Sequence, residues 1–192
     1  MMAKKQIKPR IVLSREEMYD LNVKALAKRG VTVESIADIA YDQQSKFIKD
    51  VPYEKCLESV KKMLTYRDIF HYLQLGVEID ILAEKKMLSQ PLQDIIYYDL
   101  GLFGVDEIIG LDIAGHFGTI GQTNFGDIDV NKPGIVKKLN DAGKDEDGIC
   151  HTFLDDIVGA IAAAASTRVA QIVNEDQALD EPSIKQNNLF DK

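Results

Sequence analysis

The chain has 192 residues, enough for one domain with a real core, and its 45% apolar content argues against a disordered polymer. A formal net charge of −8 argues against a nucleic-acid partner, because no basic excess is available to neutralise phosphates. The basic start lacks the apolar segment of a signal peptide, and the uncharged run Ile157 to Thr167 is far shorter than the ~18 apolar residues of a membrane span. A cytoplasmic protein without a transmembrane segment is expected.

Ser14 and Glu17 form an S-x-x-E capping box, and Met18, Leu21 and Ala25 follow at helical spacing until Gly30 stops the helix. Thr32 caps a second helix with Val33, Ile36, Ala37 and Ala40 inward. A third helix starts after Pro52. Thr65 and Asp68 offer a cap for a long helix reaching about Lys86, and a short one follows Pro91. Asp106 or a neighbour opens another, to about Phe117. The segment Gly118 to Gly134 is rich in Gly, Asn and Asp and is expected to be loop. A short helical turn follows Pro133, and Asn140 to Gly148 is polar. Thr152 opens a last helix to about Val173. No stretch alternates with period two, so strands are not expected.

This last helix carries Phe153, Leu154, Ile157, Val158 and the run Ala160 to Ala165, which leave almost no polar face. A helix apolar all round is surrounded by others. The expected fold is therefore all-α: one domain over residues 14–173, a multi-helix bundle around a buried central helix, with flexible termini at 1–13 and 174–192. Cys56 and Cys150 form no motif and read as buried, reduced thiols. Apolar residues in the second helix and around Tyr97 and Tyr98 exceed one core's need, which suggests a homo-oligomer.

Acidic residues cluster in the second half. Asp155 and Asp156 open the buried helix, Asp106 and Glu107 open another apolar one, and Asp127 and Asp129 lie between, followed by Lys132. Converging carboxylates need compensating positive charge, and Mg²⁺ is the usual hard cation for oxygen ligands. Acids at helix starts also favour the helix dipole with no function attached, Thr152 with Asp155 reads as a capping box, and Asp106 reads as an N-cap. Capping does not use Asp156 and explains Glu107 less well. Asp127, Asp129 and Asn131 begin like an EF-hand loop, but Lys132 and Lys138 stand where Gly and Glu are required. Separately, Arg67, His71, Gln74 and Glu78 form one narrow stripe on the fourth helix. A solvated face is the default reading; the functional reading is a polar seam facing the acids, with Arg67 and His71 binding a phosphorylated substrate.

In order, these acidic segments resemble the phosphatidylglycerophosphatase A family, in particular its branch without membrane segments. Asp99, Gly101, Asp106, Glu107 and Gly110 resemble its D-x-G-x4-D-E-x2-G segment. Asp129, Lys132 and Pro133 resemble D-x2-K-P, and Asp155 to Ala160 resemble its paired-aspartate segment. The membrane-bound members carry an arginine where this chain has Gly126, and K-P-x-P-I where it has Lys132-Pro133-Gly134-Ile135. The resemblance implies an all-helical, Mg²⁺-dependent phosphomonoesterase. Asp106, Glu107, Asp155 and Asp156 would hold the metal, with Asp129, Lys132 and Asp156 in the chemistry. The substrate would be a phosphorylated small molecule or lipid head group such as phosphatidylglycerophosphate, met through peripheral membrane contact in the lipid case. The alternatives are an all-α nucleotide pyrophosphohydrolase and a non-catalytic, metal-stabilised helical binding protein.

Overall fold

The structure, a computed structural model, describes residues 12–101, 103–145 and 148–180. Among the described residues there are nine helices and no strand. In chain order they are α1 (Arg15–Lys28), α2 (Val33–Ser45), α3 (Tyr53–Met63), α4 (Arg67–Glu84), α5 (Leu92–Tyr97), α6 (Val105–Gly115), α7 (Gly118–Asn131), α8 (Gly134–Asp145) and α9 (Leu154–Asp180). Most of the sequence-expected termini, residues 1–11 and 181–192, lie outside the described residues.

The caps of the first two helices form as their sequences dictate. The Glu17 amide donates to Ser14 Oγ at 3.1 Å, and the Ser14 amide donates to Glu17 Oε2 at 2.7 Å. Thr32 caps α2 in the same reciprocal way with Ser35. The start of α4 differs: Tyr66 stands at the N-cap without a side-chain cap, because the Thr65 hydroxyl donates back to the Lys62 carbonyl at 2.8 Å.

The expected loop from Gly118 to Gly134 is instead helix α7 and the entry to α8. Its glycines are contact points. A Cβ on Gly121 would lie 2.1 Å from the Ala114 carbonyl oxygen, and one on Gly110 would lie 2.3 Å from Phe125 Cζ. Only glycine lets α6 and α7 approach this closely, and Gly121, Asn124, Phe125 and Ile128 then face the core. The turn expected after Pro133 is the full helix α8, with Val136 and Leu139 buried.

At the centre is α9, ringed by α2, α3, α4, α6, α7 and α8. From Leu154 to Ala165 every residue is buried, and each buried Leu or Ile contributes ~1.5–3 kcal/mol by leaving water. By length and composition, Leu154–Asp176 could cross a membrane, but 72% of its most apolar window is buried among its own neighbours. The helix continues past Val173 to Asp180, and Asp176 there pairs with Lys55 of α3. The inward residues of α2 are used by this same core, so the surplus read from sequence reduces to groups such as Tyr98, which is exposed. Cys56 and Cys150 are free and buried, and burial pushes the Cys56 thiol up to about 11.

Candidate metal and phosphate site

Two helix starts and one helix end meet at a single point. Gly104, in the left-handed region, is the N-cap of α6, so Asp106 is inside the helix and not a cap. Asp106 is 3% exposed and accepts the Glu107 amide at 3.1 Å. Asp155 and Asp156 lie in the first turn of α9 at 6% and 4% exposure. The expected Thr152–Asp155 capping box does not form: the Thr152 hydroxyl donates to the Ile96 carbonyl at 2.6 Å.

The cap of α9 comes from α4. The two carboxylate oxygens of Asp80 accept the Phe153 and Leu154 amides, each at 3.1 Å. Asp80 is fully buried, and burial pushes its carboxyl up to about 8 while the two amides and Arg29 pull it down. With an amide donating to each oxygen at the positive end of a helix, the geometry is that of a carboxylate. One turn later on α4, Glu84 forms a two-pronged pair with Arg29 at 3.0 and 2.6 Å and accepts the Cys150 amide at 3.0 Å. Arg29 also donates to the Cys150 carbonyl and to His151 Nδ1. Burial and Arg29 lower His151 to about 4. Asp80, Glu84 and Arg29 bear on the site but carry no signal in sequence spacing, because their partners at 150–154 lie 66 to 122 residues away, beyond several intervening helices.

Asp80 thus caps the amides just before the aspartate pair, and within the first turn Asp155 Oδ1 accepts the Asp156 amide at 3.0 Å while its Oδ2 faces Lys132. Lys132 Nζ contacts Asp129 at 2.7 Å, Asp155 at 3.0 Å and Asp156 at 3.4 Å. Lys132 ends α7 with φ 44° and ψ 60°, a left-handed conformation unusual for a side chain larger than Asn. That bend points its ammonium into the acidic centre. Burial alone would lower the Lys132 pKa, but Asp155, Asp129 and Asp156 outweigh it and hold it above the ordinary lysine value.

On the other side of Asp156, one carboxylate oxygen each from Asp106, Glu107 and Asp156 lie within 4.8 Å of one another. Glu107 Oε2 is buried with no hydrogen-bond partner, an acceptor without a donor. Burial and the neighbouring Glu107 carboxylate raise Asp106 to about 8, against the pull of the Glu107 amide. Burial and the Asp155 charge raise Asp156 to about 9. Burial raises Asp155 to about 6 against the pull of Lys132. Three carboxylates gathered this closely, one of them carrying the unpartnered Oε2, suit one hard divalent cation. Asp155 stands outside this trio, on the lysine.

The chain matches the phosphatidylglycerophosphatase A family profile over residues 30–171. It belongs to that family. Bacillus subtilis YutG, an uncharacterised member-like relative, is 45% identical over 158 residues, covering 81% of this chain and 93% of YutG. The crystal structure of B. subtilis ypjQ superimposes with a TM-score of 0.79 at 42% identity, covering 86% of this chain and all of that one. The low temperature requirement C protein of Listeria monocytogenes gives 0.78 at 43% identity, covering 82% and 97%. The three acidic segments that carry the phosphatidylglycerophosphatase A resemblance are the ones the fold brings together.

Other expected site residues lie elsewhere. Arg67 and His71 are exposed near the start of α4. Arg67 is thirteen residues before Asp80, roughly 20 Å along the helix from the end that meets α9. Along the same stripe Glu78 is also exposed, while Gln74 is half-buried and donates to the buried Asn22 at 3.0 Å. Asp127 points away from the centre, to Lys46 at 2.9 Å. His116 sits at the far end of α6, opposite Asp68.

Proposed function

We propose that this protein is a Mg²⁺-dependent phosphomonoesterase. Family membership supports phosphatase chemistry, and the meeting of Asp106 and Asp156 with a Glu107 carboxylate that has an unpartnered buried oxygen carries the metal reading. Asp106, Glu107 and Asp156 would hold the cation. When bound, Mg²⁺ would neutralise phosphate oxygens and acidify a coordinated water. Lys132 contributes a second, permanent positive charge within 3.4 Å of Asp156, placed to meet an equatorial phosphoryl oxygen as charge develops there. Asp155 and Asp129 fix the direction of that ammonium. Asp129 is the more exposed of the two and stands on the solvent side, where a substrate arrives.

The substrate is a phosphate monoester, with a phospholipid head group such as phosphatidylglycerophosphate as first choice. Val105 and Ile108 are exposed on α6 beside Asp106 and Glu107, and Leu100 is exposed just before them. An apolar rim of this kind supports a partly apolar substrate and peripheral contact with a membrane surface. Nothing in the geometry favours a nucleotide pyrophosphohydrolase: the acids one turn apart on α4, Asp80 and Glu84, are engaged by α9 amides and Arg29.

The test is release of inorganic phosphate from phosphatidylglycerophosphate with Mg²⁺, beside Asp156→Asn. Turnover that survives excess chelator or that substitution sinks the metal role. Stabilisation by Mg²⁺ without turnover on any phosphomonoester would favour a non-catalytic, metal-stabilised protein instead.

A further inference from the structure

We propose that Asp80 of α4 is a positioning residue for the acidic centre, acting as the N-cap of α9 from another helix and so setting where Asp155 and Asp156 meet Lys132 and Asp106. Its importance to turnover rests on the phosphatase reading; its effect on geometry does not.

The first amides of a helix have no partner within it. In α9 the Asp155 amide reaches the His151 carbonyl and the Asp156 amide reaches Asp155 Oδ1. The Leu154 and Phe153 amides, one and two residues before Asp155, have Asp80. No local side chain takes that duty, because Thr152 is turned to Ile96. A local cap would travel with its helix, whereas a cap on α4 ties α9 to its neighbour. Gly76 lies one turn before Asp80 on the same face. A Cβ at Gly76 would lie 2.5 Å from Ile157 Cδ1 and 3.0 Å from Phe153 Cβ, so glycine there brings α4 close enough for the short Asp80 side chain to reach. One turn after Asp80, Glu84 and Arg29 grip Cys150 and His151. Residues 150 to 154 are thus clamped at both ends, immediately before the aspartate pair. A shift of α9 by even part of a turn would move Asp156 away from the Glu107 oxygen.

The experiment compares wild type with Asp80→Ala, Asp80→Asn, Gly76→Ala and Ser14→Ala by amide hydrogen exchange, by the NMR signal of the Lys132 ammonium, and by the midpoint of Mg²⁺-induced thermal stabilisation. Ser14→Ala removes a cap far from the centre and controls for general destabilisation. In Asp80→Ala the Phe153 and Leu154 amides should exchange at least tenfold faster while Ala160 to Ala165 stay protected. The Lys132 signal should shift, and the Mg²⁺ midpoint should rise at least tenfold. Gly76→Ala should show the same changes in smaller measure, and Ser14→Ala none of them. Should Asp80→Ala fail to fold, Asp80→Asn decides, since it keeps one acceptor oxygen: one of the two amides should lose protection. Unchanged exchange at both amides, or faster exchange with Lys132 and the Mg²⁺ midpoint unmoved, overturns the proposal. If the wild type shows neither Mg²⁺ stabilisation nor phosphate release, the phosphatase reading fails alone, and the amide exchange and Lys132 signal still decide the cap.

Discussion

Replacing Lys132 with methionine removes an ammonium from between three carboxylates while keeping most of its bulk. The side chains of Asp155 and Asp156 are 9% and 5% exposed, and that of Lys132 is 25% exposed. Breaking a buried pair typically costs about 3–5 kcal/mol. Partial exposure of the lysine places the expected loss at the lower end, about 3 kcal/mol at pH 8. For a chain of this size that is a fall in Tm of roughly 6–12 °C. The loss depends on pH in a definite direction. Asp155 and Asp156 have folded pKa values of about 6 and about 9, above the ordinary 3.8, so the folded chain binds more protons than the unfolded chain between those limits. Stability without metal therefore falls as pH rises from 4 to 9. Lys132 pulls both values down, so its removal steepens the fall, and at pH 5 protonation should shrink the loss to about 1 kcal/mol. Urea unfolding followed by far-ultraviolet circular dichroism, in chelator at pH 5 and pH 8, measures both numbers. An equal loss at the two pH values, or a loss under about 1 kcal/mol at pH 8, would refute the reasoning.

Because Asp106 and Asp156 are raised to about 8 and about 9, metal binding should expel protons, and Mg²⁺ affinity should climb between pH 6 and pH 9; calorimetric titration in two buffers of different ionisation enthalpy reads the release, and a pH-independent affinity would contradict it. Gly110→Ala drives a methyl into the Phe125 ring and should lower stability by about 1–3 kcal/mol, seen as a reduced urea midpoint; no change would mean that α6 and α7 separate freely. Phe153→Ala, which empties a site packed against Phe103, should cost about 3–5 kcal/mol by the same assay. Arg67→Ala should leave phosphate release within about twofold, since an exposed residue roughly 20 Å from the α9 end of its helix cannot touch the reacting group; a large loss would place Arg67 at the substrate.

Several features were legible in the sequence because they are local. Ser14, Thr32 and Gly30 act within four residues of themselves, and the apolar circumference of α9 required neighbours on every side. The acidic pairs were legible as pairs, but their division of labour was not. Whether Asp155 faced a lysine or a cation depends on where α7 ends, and that end is a left-handed lysine. The glycine-rich stretch from Gly118 looks like loop in sequence because glycine weakens an isolated helix, whereas Gly121 and Gly110 favour a packed one by allowing close contact. The apolar positions Phe125 and Ile128, with Gly121 a turn before, held the overlooked helical period. Asp80 was hidden most completely: its two amide partners are more than seventy residues away.

In the proposed site Asp106, Glu107 and Asp156 share one divalent cation while Lys132 keeps Asp155. Crystals soaked in Mn²⁺, as a stand-in for Mg²⁺, test it through anomalous scattering. One peak is expected about 2.0–2.3 Å from an oxygen of each of those three residues, with Lys132 still on Asp155. No peak at that position, or a peak that displaces Lys132 from Asp129 and Asp155, would contradict it.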